Sequence, residues 1–111
     1  MKIDWAYMRK GWKSCIKSRE FLENKQIKIS DEVDARKEKI EEDNAWAILK
    51  SASKIYIGRQ KKFSSWVPND ENRAEIMGQA LGRSGSLRAP TLKKGGNVFI
   101  GFSDEMYKDN L

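Results

Sequence analysis

The chain has no histidine and a single cysteine. Without histidine it can build neither a Ser-His-Asp nor a Cys-His catalytic group, nor a His-liganded metal centre. One cysteine excludes an internal disulfide and any cysteine-cluster zinc site. No metal and no resident cofactor is therefore expected. No apolar run approaches the roughly 20 residues that a membrane helix needs, so no membrane role is expected. The segment after Met1-Lys2 alternates like a strand, unlike the apolar core of a secretory signal. These absences together predict a reduced, cytoplasmic protein.

What is present is charge, and it is unevenly placed. The 111 residues suit one domain spanning 1–111. The net charge is +6. Five cations lie between Arg9 and Arg19 with no carboxylate among them. Residues 50–63 and 83–94 are likewise basic and free of acid, whereas Asp and Glu gather at 31–43. Three basic stretches meeting in space would form an anion-attracting face; apart, they are solvated surface.

Ile3, Trp5 and Tyr7 alternate with Asp4 and Ala6, which predicts a strand through Met8. After Gly11, the spacing of Trp12, Cys15, Ile16, Arg19 and Leu22 predicts an amphipathic helix ending near Asn24-Lys25. Ile27, Ile29 and Val33 predict a second strand, parallel to the first because a helix joins them. Ala45, Ile48, Leu49 and Ala52 give a helix over about 41–51. Ile55-Tyr56-Ile57 reads as a short strand, and residues 60–69 as a polar stretch with a turn at Val67-Pro68-Asn69-Asp70. Asn69 or Asp70 can cap a third helix, whose stripe is Ile76, Met77, Ala80 and Leu81. The segment Leu87–Leu92 with Pro90, then Gly95-Gly96-Asn97 and Val98-Phe99-Ile100, predicts a hairpin. A last helix spans 104–110. The order implies an α/β domain with a mixed sheet and helices on both faces.

Three pieces, in order, resemble the ArsC-like branch of the thioredoxin-fold superfamily, which includes arsenate reductases and Spx-type regulators. They are Trp12-Lys13-Ser14-Cys15 running into Phe21-Leu22-Glu23, then Ile55-Tyr56-Ile57-Gly58-Arg59, and Leu87-Arg88-Ala89-Pro90-Thr91-Leu92 followed by Asn97–Phe102. The resemblance implies a thioredoxin-like (glutaredoxin-like) fold with a cis-proline at Pro90. It aligns Cys15 with the second cysteine of a Cys-x-x-Cys motif and puts Trp12 in the nucleophile's place. Indole cannot attack arsenic or sulfur, so ordinary arsenate reduction is not expected. Arg59 matches a family arginine that binds oxyanions. Arg88 stands one residue from another, since Ala89 directly precedes the proline here. Phe102 lies near a third.

The candidate site is therefore Cys15 as catalytic thiol, Lys13, Arg59 and Arg88 as anion or substrate ligands, and Trp12 and Pro90 as walls. Cations and a helix N-terminus would stabilise a thiolate; a buried small hydrophobe is the other reading of Cys15. Two functions follow. One is a single-cysteine thiol oxidoreductase that uses glutathione or another small thiol as co-substrate. The other is a non-catalytic regulatory module of Spx type, whose Trp12 loop and basic face hold an acidic protein partner. Direct nucleic-acid binding is not expected, because no helix-turn-helix, zinc or RNP signature is present. Lys13, Arg59 and Arg88 are expected to converge beside Cys15 and Pro90.

Overall fold

The computed structural model describes residues 2–59 and 61–111. Residue 60, the first of the expected polar stretch, lies outside them. The expected first strand is broken at Asp4 into β1 (Lys2–Ile3) and β2 (Trp5–Met8). The break has a use: the Asp4 N–H donates to the Lys93 carbonyl at 2.8 Å, and its carboxylate accepts from the Gly95 N–H at 2.7 Å. The second strand breaks in step, into β3 (Lys28–Ile29) and β4 (Glu32–Asp34). Both pairings, β1 with β3 and β2 with β4, are parallel, as the connecting helix α1 (Lys13–Asn24) requires.

Helix α2 (Glu42–Leu49) leads to β5 (Lys54–Arg59). A strand follows that the sequence pattern did not announce, β6 (Lys62–Trp66), folded back antiparallel on β5. Helix α3 (Arg73–Ala80) starts after Asn72, whose side-chain Oδ1 accepts from the Asn69 N–H while its own backbone N–H donates to the Asn69 Oδ1, both at 2.9 Å. The hairpin β7 (Thr91–Lys94) and β8 (Asn97–Ile100) precedes α4 (Asp104–Asn110). There the Ser103 hydroxyl caps the helix by accepting from the Met106 N–H.

The main sheet runs β4-β2-β7-β8-β5-β6 and is mixed: β2 with β4 and β5 with β8 are parallel, the other pairs antiparallel. Helices α1 and α4 share a face, because Phe21 and Phe99 both pack edge-on against Tyr107. Val98 and Ile100 point to the opposite face of β8 and are equally buried. Helices α2 and α3 pack against each other, with Arg73 stacked over Trp46. No helix among the described residues is long and apolar enough to cross a membrane.

Candidate functional site

The turn between β2 and α1 is set by Gly11, at φ +90°, a conformation that costs an L-residue a Cβ clash. The turn delivers Trp12 to the N-cap position, where its carbonyl accepts from the Ile16 N–H at 2.9 Å. The indole is 47% exposed, with the Arg9 guanidinium stacked over it at 4.5 Å. The backbone N–H of the same Arg9 donates to the Cys15 sulfur at 3.3 Å. One residue thus ties the loop both to the indole above and to the thiol below.

Cys15 is only 5% exposed. Burial pushes its thiol pKa up, and this outweighs the Arg9 N–H and the nearby Arg19 and Arg9 charges, which pull it down. The thiol stays protonated where an activated one would ionise.

The expected inner stripe of α1 is rotated. The buried residues are Cys15, Ser18 and Leu22, whereas Ile16 is 47% exposed and Arg19 faces solvent. Ser18 turns inward because it has a partner: its hydroxyl shares a 2.7 Å hydrogen bond with the Tyr107 hydroxyl, which also donates to the Gly101 carbonyl at 3.4 Å. Burial holds the Tyr107 phenol far above its ordinary range. The spacing 15, 18, 22 carried this signal; a serine on an apolar face is easily passed over without its partner in view.

The expected convergence of Lys13, Arg59 and Arg88 on Cys15 does not occur. Lys13 and Cys15 are two residues apart on one helix and cannot face the same way. Lys13 lines a different groove, with Lys17, Phe21, Phe102 and Lys108. Arg88 is half-buried and committed to the backbone, donating to the Gln79 carbonyl at 3.1 Å and the Gly58 carbonyl at 3.4 Å. It binds α3 to β5. Burial, then the neighbouring Arg59 charge, lowers its pKa. Arg59 and Arg88 are thus brought together, and Arg59 is exposed. Pro90 is buried behind a cis peptide bond, and its carbonyl accepts from the Gly101 N–H at 2.8 Å.

The charged groups that do flank Cys15 are ones the sequence reading left unassigned. A groove of about 530 Å³ opens beside the thiol between α1 and the edge strand β4. Arg9 and Lys10 stand at its loop end, and Glu20 and Glu23 further along α1. Arg19 and Glu32 bridge its walls with a 2.8 Å ion pair. Among the described residues no cluster of three or more potential metal ligands occurs. No family model matches the chain, and no curated protein or solved structure matches it.

Proposed function

We propose that this is a thioredoxin-like, non-catalytic interaction module, whose Trp12 loop and basic helix α1 hold an acidic protein partner. The observation that carries this reading is the division of labour around the β2–α1 turn. The only thiol is buried and held protonated, while the indole beside it is presented to solvent. A thiol that exchanges needs access and a lowered pKa. A binding module needs an exposed aromatic and complementary charge.

The thioredoxin-like part of the proposal is supported by the order β4-β2-β7-β8, with α1 crossing from β2 to β4 and α4 following the hairpin. The place of Pro90, immediately before β7, fits the same plan. The partner's acidity is supported by Arg9, Lys10, Lys13 and Lys17, which surround Trp12 with no carboxylate in the same stretch. Trp12 and Ile16, one helical turn apart and both exposed, add the apolar contact.

The test is a titration of the protein with a poly-glutamate peptide, followed by amide chemical shifts at low and high salt. Saturable, salt-sensitive shifts centred on residues 9–17 are expected, lost in Trp12→Ala and retained in Cys15→Ala. Rapid alkylation of Cys15 in the folded protein at pH 7, or equal binding by Trp12→Ala, would sink the reading and restore the thiol role.

A further inference from the structure

The groove beside Cys15 has an order to it. Its floor is apolar where Met8, Cys15 and Ile16 meet. At the loop end Arg9 and Lys10 stand with Asp34, which the register sets level with Met8, so two cations against one carboxylate leave that end net cationic; Glu20 and Glu23 make the far end anionic. The one cation between, Arg19, is already paired with Glu32. Neither Glu20 nor Glu23 has a salt-bridge partner among the described residues. The outer wall is β4, at the edge of the sheet, so the groove is open along one side.

The dimensions select a kind of occupant. From Trp12 to Glu23 the helix advances about 16 Å, which about five extended residues would match. A compact ion would meet only one end, and an all-acidic segment would meet repulsion at Glu20 and Glu23.

We infer that the groove receives an extended peptide segment of the partner with segregated charge: acidic residues against Arg9 and Lys10, an apolar side chain over Met8, Cys15 and Ile16, and basic residues against Glu20 and Glu23. This rests on the interaction-module reading and specifies what the partner must present. An acidic partner is thus held through an acidic stretch that turns basic after one apolar residue. The Trp12 loop reads the first part, the groove the second.

The experiment compares two synthetic pentapeptides of equal composition, Glu-Glu-Leu-Lys-Lys and Lys-Glu-Leu-Lys-Glu, together with Glu-Glu-Leu-Glu-Glu. Each is titrated into the isotopically labelled protein at low ionic strength. The segregated peptide should bind at least about fivefold tighter than the interleaved one, the factor a few exposed charge contacts supply. Its shifts should reach residues 19–23 and 32–34. Glu23→Lys and Glu20→Lys, both exposed and harmless to the core, should erase that preference. Ile16→Asp should weaken all three peptides. Equal binding of the two isomers, or an unchanged preference in Glu23→Lys, overturns the inference. If the all-acidic peptide binds tightest and depends on Trp12, the groove assignment falls while the module reading stands. If no peptide binds and Trp12→Ala changes nothing, both fall.

Discussion

The Ser18–Tyr107 hydrogen bond offers the sharpest test of how α1 is held. Both residues are fully buried, and the 2.7 Å bond joins helices 89 positions apart. Tyr107→Phe strands the Ser18 hydroxyl, although a helical serine can turn back towards the carbonyl four residues earlier. Ser18→Ala strands the phenol, which keeps only the long 3.4 Å contact to Gly101. An unsatisfied buried group costs about 1–3 kcal/mol, so each single variant should lose about that, with Ser18→Ala the more damaging. The double variant removes both ends together. Its cost should fall short of the sum by about 1 kcal/mol, the coupling expected of residues in direct contact. Urea melts on the four proteins measure the cycle, and each kcal/mol should appear as about 4–8 °C in Tm. Costs that add to within about 0.3 kcal/mol would show that the pair is incidental. Alkylation of Cys15, three residues before Ser18 on the same buried face, should accelerate in both single variants.

Two more expectations concern charge. Because burial raises the folded thiol's pKa, the folded chain keeps the Cys15 proton to higher pH than the unfolded chain. Its contribution to stability is complete below the unfolded value of about 8.5 and declines as pH rises through the folded one. Cys15→Ala should flatten that segment of a stability–pH curve, and an unchanged slope between about pH 8 and 9.5 would contradict the assignment. Sulfate at constant ionic strength should raise Tm saturably relative to chloride, through the adjacent Arg59 and Arg88 guanidinium groups. Arg59→Ala should abolish the gain, and an Arg59→Ala response like the parent's would show the pair to be plain surface.

Regular elements were legible where one face is apolar and periodic. Helices α1, α2 and α3 fall within a few residues of their expected bounds, although the buried face of α1 is rotated from its expected stripe, and α4 spans 104–110 as expected. The parallel pairing of β2 with β4 followed from the helix between them. Strand β6 was not legible, because Lys62-Phe63-Ser64-Ser65-Trp66 lacks alternation; it forms because β5 presents a sheet edge to pair with. The candidate site was legible as a place but not as a set of partners. Trp12 and Cys15 stand at the start of α1, where helix phase turns Lys13 away from the thiol. Long-range carbonyls capture Arg88, and no local pattern encodes a carbonyl's position. The roles of Arg9, Arg19 and Glu32 depend on bringing β4 beside α1, which single-sequence periodicity does not register.

The position of β2 between β4 and β7 has a consequence for synthesis of the chain. Tyr7 pairs with Val33 on one side and with Thr91 on the other. At ~5–20 residues per second, a ribosome needs about 4–17 s between the two ends of that second pairing. Helices and hairpins form in microseconds, so the βαβ half has ample time to collect itself while one edge of its inner strand stays open. For those seconds the nascent chain carries a half-paired strand whose core residues include Ala6, Tyr7 and Met8. Arg9 and Lys10, directly after it, are placed as gatekeepers against wrong pairing. The same two cations that line the groove in the finished fold guard the strand before the fold is finished.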